Sequence, residues 1–167
     1  MAYRNKVYIA FDADTDIRYY RIMQAWKQND NTSFNFNNAH DLNNLRLTSS
    51  EETIKAKLRE RMANTKVFVV LIGENTKNLY KFVRWEMEVA LKLGLPIIAV
   101  NLNGSRHQNT TTCPAIIRDE LVLYVNFRQK IIEKALAEWE TRHYELAKQG
   151  KSGSYNYSDS IYTSLGL

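Results

Sequence analysis

One stretch of the chain combines residue types that could do chemistry with a spacing that gathers them. "FVRWEMEVALKLGLPIIAV" spans residues 82–100. Wound at 3.6 residues per turn, it places Phe82, Glu86, Val89, Ala90 and Leu93 on one stripe, because positions three and four apart are neighbours on a helix. Every member of that stripe except Glu86 is apolar. A carboxylate held away from water and already aimed can offset positive charge that develops in a transition state. If the frame slips by one residue, Glu86 turns to solvent beside Arg84 and Lys92. The chemistry therefore depends on where the surrounding elements hold this helix.

Those elements alternate between strand and helix. "KVYIAF" (Lys6–Phe11) is a short apolar run that ends in the turn "DADTD", which reads as a buried strand. A helix follows over Asp14–Asn29, with Asp14 or Asp16 at its start and Ile17, Tyr20, Met23 and Trp26 on its apolar side. "SFNF" (Ser33–Phe36) is a weaker strand, and a long polar stretch, Asn37–Ser50, contains His40. Ser49 and Glu52 have the spacing of a capping box, so a helix begins there and carries Ile54, Leu58 and Met62 to about Asn64. "KVFVVLIG" (Lys66–Gly73) is rich in β-branched residues and reads as a central strand. Gly94 and Pro96 close the helix that carries Glu86. "PIIAVNL" and "LVLYVNF" (Leu121–Phe127) are further strands, and Ile131, Ile132, Ala135, Leu136 and Trp139 mark a last helix.

Strands apolar throughout and alternating with helices specify a mostly parallel sheet covered on both faces. The expected fold is an α/β three-layer sandwich with five strands in the flavodoxin-like order 2-1-3-4-5. In such sheets ligands sit beyond the carboxyl ends of the strands, where the order reverses between strands one and three. Phe11–Asp16 and Gly73–Glu86 flank that crevice. The expected domain covers residues 1–142, and residues 143–167 form a tail. The tail either packs through Tyr155, Tyr157, Ile161, Tyr162 and Leu165 or stays mobile.

The bulk composition narrows the class of protein. The 167 residues suit one domain, with 44% hydrophobic and 25% charged residues. The net charge of +5 is spread out. Its densest run, Lys55–Lys66, interleaves with Leu58 and Met62 as the wet face of a helix, so no nucleic-acid partner is expected. A single cysteine, Cys113, forbids an internal disulfide. With no apolar targeting segment and no run of ~20 apolar residues, the expectation is a cytoplasmic protein with no membrane partner. No Cys/His set has metal-ligand spacing, so no metal is expected.

The turn after strand one, the polar loop after strand two and "KFVRWEMEVALKLGLPIIAV" together resemble the TIR-like domains of the ThsB group from bacterial Thoeris anti-phage systems. Over roughly residues 5–140, the resemblance implies an NAD-consuming enzyme of glycohydrolase or ADP-ribosyl cyclase type. It implies Glu86 as the catalytic residue, with an aromatic four positions earlier, here Phe82, and a tryptophan directly before the glutamate, here Trp85. Phe82 replaces the Trp usual at that position, and the first turn reads "FDAD". Substrate contacts are then expected from Phe11, Asp12, Asp14 and Phe82, and from His40 in the long loop. NAD is the substrate, so no separate cofactor is implied. The product is a cyclic or modified ADP-ribose that signals to a separate effector protein, and a homo-oligomer is compatible with the family.

Other classes fit less well. A phospho-accepting receiver domain needs an aspartate ending strand three and a lysine ending strand five, where this chain reads "LIGEN" and "YVNF". A dinucleotide-binding oxidoreductase wants G-x-G-x-x-G after strand one, and a P-loop nucleotidase wants G-x-x-x-x-G-K-[ST]; neither occurs. A non-catalytic TIR-like interaction module remains as the alternative.

Overall fold

The structure, a computed structural model, describes residues 6–29, the backbone of 35–37, and residues 50–167. Its elements run β1 (Lys6–Ala10), α1 (Ile17–Gln28), β2 (Asn35–Asn37), α2 (Glu51–Met62), β3 (Val67–Ile72), α3 (Phe82–Lys92), β4 (Ile97–Asn101), β5 (Val122–Asn126), α4 (Gln129–Lys148), β6 (Ser154–Asn156) and α5 (Asp159–Ser164). All neighbouring strands pair in parallel, in the order β2-β1-β3-β4-β5-β6. The expected order 2-1-3-4-5 is present, and the tail adds a sixth strand at the β5 edge.

The central strands are buried on both faces, which is why they read as unbroken apolar runs. Successive side chains leave a strand on opposite sides. Val7, Ile9, Val67, Val69, Leu71, Ile98 and Val100 accordingly join one core with Tyr20 and Met23 of α1 and Ile132, Leu136 and Trp139 of α4. The alternate positions, Tyr8, Ala10, Phe68, Val70 and Ile72, join a second core with Ile54 and Leu58 of α2 and Val83, Met87 and Ala90 of α3. Helices α1 and α3 therefore lie on opposite faces, and the loops that lead into them part at the β1–β3 junction.

The start of α2 and the end of α4 differ from the sequence expectation. Helix α2 is capped by Ser50, whose Oγ accepts the Thr53 amide at 3.3 Å. Ser49 lies outside the described residues. The cap at Ser50 leaves Glu51 and Glu52 in the first turn, where carboxylates favour the positive helix end. Helix α4 runs through residue 142 to Lys148 because His143 and Leu146 continue its buried face. Beyond it, Tyr155, Tyr157, Ile161 and Leu165 pack half-buried against the first core and Tyr162 is fully buried. Arg106 lies 4.2 Å over the Tyr162 ring and pairs with Asp159 at 3.2 Å, which fastens α5 to the loop after β4. Among the described residues no helix is long and apolar enough to cross a membrane.

Candidate functional site

The helical frame proposed for α3 holds where it matters. Glu86 is 5% exposed, with Val83, Met87, Val89 and Ala90 buried around it. Phe82 is half-buried, and its ring lies 5.5 Å from that of Trp85. Leu93 departs from the expected stripe: it follows the last helical residue and is 43% exposed. Arg84 pairs with Glu88 at 3.2 Å, and Glu88 also meets Lys55 of α2 at 2.6 Å. These bonds to Lys55 and Arg84 hold the Glu88 carboxyl below the usual carboxylate range. They also join the wet sides of α2 and α3 and fix the rotation of α3 about its axis. The helix ends on Gly94, whose φ of 67° suits glycine, with the Leu95 amide donating back to the Ala90 carbonyl at 3.1 Å.

A cleft of about 360 Å³ opens at the start of this helix. It is lined by Phe11–Asp14 from the turn after β1 and by Asn78–Val83 from the approach to α3. Four of the six residues nominated from sequence, Phe11, Asp12, Asp14 and Phe82, meet there. Glu86 does not line the cleft. It lies one helical turn deeper, below Phe82 and Val83, which do. Among the described residues no side chain caps α3 at Lys81, and its first turn, which borders the cleft, has no acidic residue to offset the positive helix end. His40 lies outside the described residues.

The turn after β1 shows what two of these side chains already do. Asp12 is buried, and its oxygens accept the Asp14 amide at 3.1 Å and the Thr15 hydroxyl at 2.8 Å. It shapes the turn that presents Asp14, which is exposed. The Phe11 ring stacks on Tyr20 of α1, with centroids 4.7 Å apart. Asp16 stands at the N-cap position of α1, but its side chain makes no cap bond.

A second cavity, of about 560 Å³, lies beside the first turn of α1 and reaches the loops after β3 and β4. Sequence reasoning places Asp16 and Gly73 on the flanks of the crevice but nominates no residue of this cavity as a ligand contact. Asp16, Gly73, Lys77 and Thr112 are among its walls. The Asp16 carboxyl sits directly over Gly73: a Cβ placed on that glycine would come within 2.3 Å of Asp16 Oδ2. Asp16 is 7% exposed, and burial, followed by the nearby Asp12 charge, pushes its carboxyl above the ordinary value. Thr112 is positioned by a network in its own loop. Gln108 donates to Tyr124 Oη and to the Arg118 carbonyl, the Cys113 amide returns to the Asn109 carbonyl, and Lys77 Nζ holds the Thr111 carbonyl at 2.6 Å.

The family model described as "Thoeris protein ThsB, TIR-like domain" matches residues 8–107. The chain belongs to this family. The match runs from β1 into the loop after β4, so it contains the whole of the first cleft, Glu86, and His40. Membership ties the chain to Thoeris anti-phage defence and agrees with its all-parallel α/β sheet. Thr112 and everything from β5 onward lie beyond the ThsB match, and so does part of the second cavity. The sequence signals for that cavity are Asp16 and Gly73, both read as flanks of the crevice, with Asp16 offered beside Asp14 as a cap of the first helix.

Proposed function

We propose that this ThsB-type domain cleaves the nicotinamide–ribose bond of NAD and releases a cyclic or modified ADP-ribose as a signal for a separate effector. The observation that carries this reading is the cleft at the β1–β3 reversal point, where Phe11, Asp12, Asp14 and Phe82 meet one helical turn above the buried Glu86. The positive N-terminal end of α3, which borders the cleft, suits the pyrophosphate of a dinucleotide. In this mechanism Glu86 is the catalytic residue.

The chemistry asks for one well-placed carboxylate. Nicotinamide leaves a cationic pyridinium ribose as a neutral base, so no acid is needed to expel it. As the C–N bond breaks, positive charge grows on the ribose, as in an oxocarbenium-like transition state. Glu86 offsets that charge from one helical turn below the cleft. Its removal from water makes that contribution larger than it would be at the surface. Attack by water on C1′ then gives ADP-ribose, and attack by a nucleophilic atom of the same molecule gives a cyclic product. The Asp12 turn presents Asp14 to the substrate, and Phe82 packs beside the ring.

The test is release of free nicotinamide from NAD by the full-length protein, measured in extracts of infected and uninfected cells that express it. The reading expects nicotinamide and an ADP-ribose product after infection. Protein that is folded and present in infected cells but never consumes NAD would instead fit the alternative, a non-catalytic interaction module.

A further inference from the structure

Two wall residues of the second cavity each carry a polar atom that the described residues leave unsatisfied. Asp16 Oδ2 and Thr112 Oγ1 are both buried, and neither has a hydrogen-bond partner among the described residues. Such atoms are few in a native protein, because each is costly when nothing pairs with it. Asp16 and Thr112 line the same cavity, although 96 positions separate them in the chain. Around them the walls carry both charges. Lys77 Nζ uses one donor on the Thr111 carbonyl, and Arg18 uses one on Tyr19 Oη while lying 4.8 Å from that ring. An ammonium has three donors and a guanidinium five, so both keep spare ones. Glu74 supplies the opposing charge.

A bare anion would satisfy the cations but leave Asp16 facing another acceptor. A ligand that carries vicinal hydroxyls together with an anionic group would satisfy both sets. We propose that this cavity binds the ribose 5′-phosphate part of a nucleotide, with Asp16 and Thr112 taking the ribose hydroxyls and Arg18 and Lys77 taking the phosphate. The choice of a nucleotide rests on the reading of the first cleft as a dinucleotide site. The two cavities share the loops that follow β1 and β3, so the ribose phosphate is supplied either by the adenosine half of NAD itself or by a separate nucleotide.

Binding is read without turnover, by amide NMR shifts of the full-length protein titrated with AMP, ribose 5-phosphate and inorganic phosphate. The expected result is saturable shifts at Asp16, Gly73 and Thr112 with AMP and ribose 5-phosphate, and at least tenfold weaker response to phosphate. Thr112→Ala and Asp16→Ala each weaken AMP at least tenfold. Thr112 is half-buried in a loop, so that variant tests the site even if Asp16→Ala misfolds. In Glu86→Gln protein, displacement of AMP by NAD at these amides assigns the ribose phosphate to the dinucleotide, and retention of AMP assigns it to a separate nucleotide. Shifts confined to residues 11–14 and 78–83, an equal response to inorganic phosphate, or unchanged AMP affinity in a folded Thr112→Ala protein would overturn the proposal. Protein that binds AMP here yet never cleaves NAD would refute the catalytic reading and leave this site standing.

Discussion

Gly73→Ala isolates the contact between the turn after β1 and the end of β3. Gly73 is not among the glycines with positive φ, so alanine meets no backbone penalty there. Relative to glycine it also restricts the unfolded chain, which alone would stabilise the protein by about 0.4–1 kcal/mol. The opposing effect is steric. The new Cβ would lie 2.3 Å from Asp16 Oδ2, 2.7 Å from Oδ1 and 2.8 Å from Cγ, so the whole carboxyl blocks it. To reach ordinary contact the group must withdraw by roughly 1 Å, out of a position that is 7% exposed. Overpacking of this kind costs about 1–3 kcal/mol. Less the unfolded-state gain, the net cost is about 1–2 kcal/mol; for a chain of this size each kcal/mol lowers Tm by about 2–4 °C, so the expected fall is about 2–8 °C. Thermal unfolding followed by circular dichroism of wild type, Gly73→Ala, Asp16→Ala and the double variant measures it. Asp16→Ala removes the blocking group, so the double variant should recover most of the loss, with a coupling of at least about 1 kcal/mol. Single-variant effects that add to within about 0.5 kcal/mol would refute the packing of Asp16 on Gly73.

Other consequences follow from the same contacts. Because the Asp16 carboxyl is raised above its ordinary 3.8, the folded state holds that proton more tightly than the unfolded one. The stability this confers is complete below pH 3.8 and is lost as pH rises through the folded value, so the difference in stability between wild type and Asp16→Asn should shift in favour of Asp16→Asn as pH rises through that window. Glu88 has the opposite sign: its lowered carboxyl stabilises above its ordinary 4.5, and the contribution fades as pH falls through the depressed value. Glu88→Gln should cost roughly 1 kcal/mol at neutral pH, and less in high salt, by urea titration. Tyr162→Ala opens a cavity under α5 and should cost about 3–5 kcal/mol, with protease sensitivity rising at residues 154–167.

What could be read in the sequence follows from which contacts are local. Strands β3, β4 and β5 were legible because burial on both faces demands apolar residues at every position. Glu86 was legible because one carboxylate interrupts an otherwise apolar stripe. The α2 cap was misplaced because Ser49 and Ser50 are chemically alike. Glu52 fits a box with Ser49, and only the Thr53 amide reaching Ser50 Oγ decides between them. Strand β6 has three residues rich in Ser and Tyr, and takes its form from pairing with β5. The second cavity had no periodic signal, because Asp16, Gly73 and Thr112 meet only once the sheet has formed.

The central claim is that the buried carboxylate on α3 does chemistry. The most direct measurement is NAD cleavage by Glu86→Gln and wild-type protein at equal abundance, in the condition that activates the wild type. Loss of at least about 10²-fold in rate, with an unchanged circular dichroism spectrum, is the predicted result. A folded Glu86→Gln protein that releases nicotinamide as fast as wild type would contradict it.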